Sequence, residues 1–238
     1  MELTPEEVAV QLAAAELEVV GRMRYSSNAT FLVDARTGED TMHAIYKPQR
    51  GERPLWDFPE GSLCHREVAA YELSAALGWG IVPVTILRDG PLGIGAVQQF
   101  IEHDPDEHYF TLYAGREDRF REFAAFDVLA NNTDRKGGHC LHDAATDIVV
   151  GIDHGLTFHP AWKVRTVIWD FAGQPVPGAL AADIDRVLDD LEGGALHDTL
   201  REHLTAVEVE AIEYRGRALL DEGFPYADDY RSTPWPLV

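Results

Sequence analysis

The sequence is poor in cysteine and lysine, and it contains no long apolar run. Cys64 and Cys140 are the only cysteines among 238 residues, which excludes the dense disulfide framework of small secreted domains. The first residues are acidic, unlike a secretory signal, and no apolar stretch approaches the roughly 20 residues that a membrane-spanning helix needs. We therefore expect a cytoplasmic protein whose two thiols stay reduced.

Basic residues are scarce as a class. The chain carries 20 lysines and arginines against 41 aspartates and glutamates, and its net charge is −21 at pH 7. Nucleic acids and anionic membranes both attract basic surfaces. The charge therefore argues against a nucleic-acid partner and against stable membrane association. The only three lysines are Lys47, Lys136 and Lys163, and the first two fall within the motifs that indicate a function.

Apolar periodicity predicts an α+β chain of two lobes, with a β-rich N-lobe over residues 1–102. Five segments have the composition of strands in a mostly antiparallel sheet, and one long helix is inserted between them. Ser62 is predicted to cap that helix, and Gly78 to end it. The expected segments are a first helix at 4–15, strands at 17–23, 29–33, 42–46, 81–87 and 95–101, and the inserted helix at 62–77.

The remaining residues, 103–238, are predicted to form a small helical C-lobe. Ligands favour the cleft between two lobes, so we expect the functional residues to meet there. The expected segments are a polar linker at 103–108, helices at 116–130, 180–191, 195–204 and 206–221, a short β pair at 140–141 and 148–152, and an extended tail at 224–238.

Two aspartates in polar turns carry the main functional signal. Asp134 lies in a loop at 131–139 that follows a predicted helix, and Asp153 opens a turn at 152–158 directly after an apolar strand. A phosphotransferase holds Mg·ATP in this way, with one carboxylate near the acceptor hydroxyl and a second on the metal. We predict Asp134 to be catalytic and Asp153 to be a Mg²⁺ ligand. The alternative is that both are ordinary turn-forming aspartates.

Lys47 ends a predicted strand and is the best candidate for contacting the nucleotide phosphates. Such a lysine pairs with a glutamate on a neighbouring helix. Glu67 is the preferred partner because it lies on the inward face of the inserted helix, whereas Glu60 and Glu72 are competitors. The alternative is a surface lysine at a strand end beside a solvated helix carboxylate.

Small polar and basic residues supply further candidate phosphate contacts. Ser26, Ser27 and Asn28 connect the first two strands, where side chains and backbone N–H groups can cradle phosphate oxygens. Arg135 and Lys136 directly follow the predicted catalytic aspartate. They would favour its charged form or contact the γ-phosphate.

His139 occupies a position where a kinase usually places an asparagine-type oxygen ligand for a second metal. Mg²⁺ prefers oxygen, so a histidine there is a departure. It could hydrogen-bond a phosphate, bind a softer metal or signal weakened catalysis, and the sequence leaves these roles open.

A rival interpretation groups His139, Cys140, His142 and Asp143 as a zinc site. Structural zinc sites usually contain two knuckles of paired ligands, and the sequence offers no second knuckle. Cys140 as a catalytic nucleophile is also disfavoured, because no orienting partner is evident.

Taken together, the motifs resemble the phosphatidylinositol 3-/4-kinase-related branch of the protein-kinase-like fold. The resemblance is closest to the type II phosphatidylinositol 4-kinases and to actinobacterial phosphatidylinositol-kinase-like proteins. The matching segments occur in the family's order at Ser26-Ser27-Asn28, Tyr46-Lys47-Pro48, Ile81-Val82-Pro83, 97–102, Asn132-Thr133-Asp134-Arg135 and 152–158.

The resemblance implies a bilobal kinase-like fold with ATP between the lobes. It assigns Lys47 to the phosphates and to Glu67, Asp134 to catalysis and Asp153 to the metal. It also implies a hinge beside adenine, formed by Gln99, Phe100, Ile101 and Glu102. The chain departs from the type II lipid kinases because it lacks their cysteine-rich palmitoylation segment and a basic membrane face.

The sequence therefore predicts an Mg·ATP-dependent phosphotransferase, with Mn²⁺ as a possible metal, whose acceptor is a soluble protein or a small molecule. The sequence does not identify that phosphoryl acceptor. One alternative, motivated by His139, is a nucleotide-binding pseudokinase that acts as a regulatory module. Another is a kinase-like site that binds ATP inverted and transfers AMP.

Overall fold

The computed structural model describes residues 3–23, 26 and 28–238. The first half of the chain is dominated by a five-stranded antiparallel sheet, and the second half is mainly helical. The predicted α+β class, with one long helix inserted into an antiparallel sheet, is confirmed. Within the described part, no helix is both long and apolar enough to cross a bilayer.

The sheet places the end of its third strand in the interior of the molecule. The strand order is β1-β2-β3-β5-β4, so β3 lies between two neighbours. In this register Lys47 is opposite Ala96 of β5. The strands are β1 Glu16–Arg22, β2 Phe31–Thr37, β3 Asp40–Pro48, β4 Thr85–Gly90 and β5 Gly93–Gln99.

Two helices accompany the sheet. The first, α1, spans Pro5–Ala14 and begins with a capping box formed by Thr4 and Glu7. The inserted helix, α2, spans Leu63–Leu77 and ends at Gly78, whose φ of 75° suits glycine. Most of α2 is buried because it lies between the sheet and the helical half.

Ser62 directly precedes α2 as predicted, but its side chain does not cap the helix. Ser62 donates its hydroxyl to the Pro59 carbonyl and makes no capping bond. The carboxylate of Glu52 instead accepts the N–H groups of Leu63 and Cys64, at 3.1 and 2.8 Å. A longer acidic side chain from the preceding loop therefore satisfies the first turn of the helix.

The helical half packs on α2 through one large apolar core. That core joins α2 residues such as Leu73 to Phe120, Phe123 and Phe126 of α4. The short helix α3 begins directly after the predicted linker and was missed in the sequence. The elements are α3 Tyr109–Leu112, α4 Glu117–Leu129, β6 Cys140–Asp143, β7 Ile148–Gly151, α5 Gly178–Leu191, α6 Ala195–Arg201 and α7 Ala206–Glu222.

The last residues run across the helical half. The Ser232 carbonyl accepts the N–H of Thr166, and farther along the Leu237 carbonyl accepts the N–H of Gly137 over 2.6 Å. Gly137 belongs to a short 3₁₀ turn, Gly137–His139, in the loop that carries Asp134. The tail therefore contacts the predicted catalytic loop.

Candidate active site

A single cavity brings together predicted residues from distant parts of the sequence. Strand β3, helix α2, the loop after α4 and the turn after β7 all contribute to its wall. The predicted site residues that line it are Ser26, Asn28, Lys47, Glu67, Asp134, Lys136, His139 and Asp153.

Lys47 is the centre of this site. Its ammonium nitrogen lies 2.6 Å from Oε1 of Glu67 and 2.6 Å from Oδ1 of Asp153. Burial opposes the charge on Lys47, but the two carboxylates outweigh that effect and raise its pKa above the ordinary value. Lys47 is therefore a fixed cation that joins the sheet to α2 and to the turn after β7.

Glu67 uses both carboxylate oxygens. While Oε1 accepts from Lys47, Oε2 accepts the backbone N–H of His154 over 3.0 Å. The side chain is only 6% exposed, so this charge depends on its partners. The competing candidates lie elsewhere, because Glu60 lines a neighbouring groove and Glu72 is paired with neither lysine nor arginine among the described residues.

Asp153 projects from a turn with unusual backbone geometry. Its φ of 59° is left-handed, a conformation that costs energy for a non-glycine residue and is concentrated at functional sites. One carboxylate oxygen pairs with Lys47, and the other lies 3.6 Å from Nε2 of His139. The charge of Lys47 lowers the pKa of Asp153, against the opposing effect of burial. The carboxylate is therefore ionised at neutral pH.

Asp134 and Lys136 face the cavity together. Oδ2 of Asp134 accepts from the Lys136 ammonium over 2.9 Å. The Asp134 N–H donates to the side-chain oxygen of Asn132, which fixes the loop as an Asx turn. Asn131, with φ of 48°, turns the chain out of α4 into this loop.

Arg135 does not lie where the sequence predicted. The segment 134–136 is extended, and Arg135 forms an isolated bridge with Thr166, so its side chain points opposite to its two neighbours. The guanidinium is fully buried, pairs with Asp127 at 3.0 Å and donates to Nε2 of His154 over 2.7 Å. Arg135 therefore supports the loop from beneath and makes no contact with the Asp134 carboxylate.

Asp127 is a site-supporting residue that the sequence analysis did not single out. It is fully buried and accepts hydrogen bonds from Asn132, Arg135 and Thr166. The available signal was a carboxylate on the apolar face of a helix, because such a group requires a buried cation.

His139 lies beside Asp153 but is not part of a complete metal centre. Its Nδ1 is buried without a hydrogen-bond partner, and burial lowers its pKa, so the ring is neutral. The described residues contain no group of three or more histidine, cysteine or acidic side chains arranged to hold a metal. Asp153 and His139 are the two predicted ligands that the structure brings together.

The zinc interpretation is wrong because the described residues contain no group of three or more side chains arranged to hold a metal. Cys140 points into the core, and burial raises its pKa to about 12, which disfavours a thiolate ligand or nucleophile. His142 is hydrogen-bonded to Glu107 and Asp147, away from His139.

The turn after β1 is only partly described. Ser26 shares a hydrogen bond of 2.8 Å with Thr30, and the side-chain oxygen of Asn28 accepts the N–H of Arg53. Both residues line the cavity, whereas Ser27 lies outside the described residues. Ser27 stays a prediction.

The predicted hinge residues do not line the Lys47 cavity. Gln99 and Phe100 donate their N–H groups to the carbonyls of Val84 and His43, at 2.8 and 3.3 Å. Ile101 packs in an apolar cluster with Leu141 and Val150. These residues and Glu102 follow β5 on the way to the helical half, and a role beside adenine stays a prediction.

The fold places the chain among proteins with a protein-kinase-like fold. It matches the proinflammatory kinase CtkA of Helicobacter pylori with a TM-score of 0.55 at 12% identity, over 89% of this chain and 94% of that one. It also matches the Golgi casein kinase with Mn/ADP bound, with a TM-score of 0.60 at 14% identity, over 92% of this chain and 75% of that one.

At the level of sequence, the chain belongs to the family of Protein Rv2133c from Mycobacterium tuberculosis. The two are 41% identical over 272 aligned positions, which cover 99% of this chain and 97% of that protein. No protein-family profile matches the sequence.

Proposed function

We propose that the protein is an Mg·ATP-dependent phosphotransferase. The observation that carries the proposal is the placement of Lys47 between Glu67 and Asp153, with Asp134 in the same cavity. This set supplies a cation for phosphates, a carboxylate for a metal and a carboxylate for an acceptor hydroxyl. The kinase-like fold supports the same chemistry at the level of architecture.

Each cavity residue has a distinct role in this proposal. Lys47, held by Glu67, would orient the α- and β-phosphates. Asp134 would orient the acceptor hydroxyl and accept its proton, and Lys136 would neutralise charge at the γ-phosphate. Asp153 would bind the metal, whose charge would stabilise the phosphates during transfer.

The donor set fits a metal that arrives with the nucleotide. Mg²⁺ in phosphotransferases keeps water and phosphate ligands and takes only one or two protein carboxylates. Asp153 provides such a carboxylate, half exposed toward the cavity. An imidazole ligand from His139 would favour a softer ion, so Mn²⁺ is the natural alternative.

The acceptor in this proposal is a soluble protein or a small molecule in the cytoplasm. The net charge of −21 disfavours approach to an anionic bilayer. The motifs at 132–135 and 152–158 support a phosphotransfer mechanism like that of the phosphatidylinositol 3-/4-kinases. These motifs do not identify the phosphoryl acceptor.

Calorimetric titration of ATP with and without Mg²⁺ tests this proposal. We expect Mg-dependent binding to the wild type and loss of the Mg-dependence in Asp153→Asn. Absence of binding to a folded wild type would overturn the phosphotransferase assignment.

A nucleotide-binding module without turnover is the second candidate. The neutral His139 beside Asp153 favours this second candidate, because the imidazole occupies the position where a kinase places an oxygen ligand. Persistent ATP binding without transfer to any acceptor or to the protein itself would support this candidate, and Mg-dependent transfer would exclude it. Intact-mass measurement would also reveal AMP transfer, since AMP adds far more mass than phosphate.

A further inference from the structure

Two neighbouring residues of α2 hold the same turn at two points. Glu67 accepts the N–H of His154, and the guanidinium of Arg66 donates to the Thr157 carbonyl over 2.6 Å. Thr157 donates its hydroxyl back to the His154 carbonyl, also over 2.6 Å. The turn that begins with Asp153 is therefore attached to α2 at both of its ends.

Arg66 also connects α2 to a third element. Its side chain is 2% exposed and forms an ion pair with Glu208 in the first turn of α7. The guanidinium lies 4.9 Å from the centre of the Phe58 ring. Glu208 is fixed in turn by the N–H and hydroxyl of Thr205, each 2.8 Å away. Arg66 thus reaches a rigid anchor on the helical half.

We propose that Arg66 is a positioning residue that sets the distance between Glu67 and the Asp153 turn. It thereby places the two carboxylates that pair with Lys47. The inference rests on the proposed function, because it concerns the geometry that would bind Mg·ATP. Without Arg66, α2 would keep only the Glu67–His154 bond to the turn, and Glu208 would lose its buried cation.

Arg186 provides a control because it contacts the opposite end of α2. It extends from α5 and donates to the carbonyls of Ala76 and Leu77, at 2.8 and 3.3 Å, at the far end of α2. Replacing Arg186 therefore loosens α2 where it does not contact the site. If Arg66 contributed only to stability, its replacement would leave the Mg·ATP affinity of the folded protein as little changed as the replacement of Arg186.

The experiment compares Arg66→Met with Arg186→Met at a temperature where circular dichroism shows both variants folded. We expect Arg66→Met to weaken Mg·ATP binding by about tenfold or more, in the range observed when supporting partners of a site are removed. Arg186→Met should stay within about twofold of the wild type, well below that range. Equal losses in the two variants would overturn the proposal.

A second experiment repeats the replacement of Arg66 in a protein that already carries Glu67→Gln. If Arg66 acts through Glu67, Arg66→Met should cause little further loss of affinity there, and an undiminished loss would contradict the proposal. Should Arg66→Met not fold, Arg66→Lys replaces it, since lysine keeps the cation but cannot reach Glu208 and Thr157 together with a planar fork. Arg66→Lys should weaken binding in the same direction, and wild-type affinity would count against the proposal.

Amide hydrogen exchange of His154 separates this proposal from the proposed function. In the nucleotide-free protein, Arg66→Met should accelerate exchange of the His154 N–H, and Arg186→Met should not. If the wild type binds no nucleotide, the phosphotransferase assignment fails while this comparison still tests the positioning role. Unchanged His154 exchange in Arg66→Met would refute it.

Discussion

Asp127 and Arg135 form an ion pair of 3.0 Å in which neither side chain is exposed to solvent. The pair lies directly beneath the loop that presents Asp134 and ties the end of α4 to that loop. A buried pair of this kind contributes mainly by satisfying two charges that would otherwise be stranded. It therefore supports the loop from beneath and does not line the cavity.

Replacing Asp127 should be among the most destabilising single changes in the chain. We expect Asp127→Ala to lower the free energy of unfolding by about 3–5 kcal/mol, because it leaves Arg135 buried without a counter-ion. Urea denaturation followed by circular dichroism measures this change. Asp118→Ala is the control, since Asp118 pairs with Arg121 at the surface and should have little effect. Similar losses in the two variants would contradict this account.

Asp134 should be required for transfer and dispensable for nucleotide binding. We expect Asp134→Ala to reduce the rate of phosphotransfer by about 10²–10⁴-fold, the usual contribution of a positioned acid–base group. Calorimetry should show nearly unchanged Mg·ATP affinity. Asp185→Ala, on the exposed side of α5, serves as the control and should transfer phosphate at the wild-type rate. Full activity in Asp134→Ala would remove the residue from the mechanism.

His139 should control the choice of metal. In His139→Asn an oxygen ligand replaces an imidazole, so the ratio of Mg²⁺-supported to Mn²⁺-supported activity should rise. Initial rates measured across a range of each metal concentration test this expectation. An unchanged ratio would indicate that His139 does not reach the metal.

The Lys47–Asp153 pair should make the stability of the folded protein depend on pH. Lys47 holds the pKa of Asp153 below its unfolded value, so the pair stabilises the protein above about pH 4, the ordinary range of an aspartate. That contribution is lost as the pH falls toward the folded pKa. Lys47→Met should flatten the fall in melting temperature between about pH 4 and pH 2. A fall as steep as that of the wild type would show that the pair contributes nothing.

The sequence predicted the elements better than the contacts that support them. Strong periodicity and clear terminators such as Gly78 identified α2 and most strands, although the strand at 81–87 begins at Thr85 in the structure. Local preference predicts Ser62 as the cap, whereas Glu52, ten residues earlier, reaches the first turn of the helix through tertiary structure. Lobe boundaries at residue 102 stay a prediction.

The candidate site was predictable where a motif determines the direction of a side chain. Asp134, Asp153 and Lys47 meet because the last residues of β3, the loop after α4 and the turn after β7 all line the same cavity. Arg135 was misplaced because adjacency in sequence says nothing about which side of an extended segment a residue occupies. Arg66 could not be predicted because its partner Glu208 is distant in sequence. Asp127 lies close in sequence to its partner Arg135, and a carboxylate on an apolar helix face was the signal for it.

The hydrogen bond between Gly137 and Leu237 joins residues that are separated by most of the helical half. During synthesis the chain must emerge through Leu237 before the loop of Asp134 can gain this contact. A nascent chain that ends before Leu237 lacks this bond, so the loop of Asp134 is held by one hydrogen bond fewer until the chain has been extended that far.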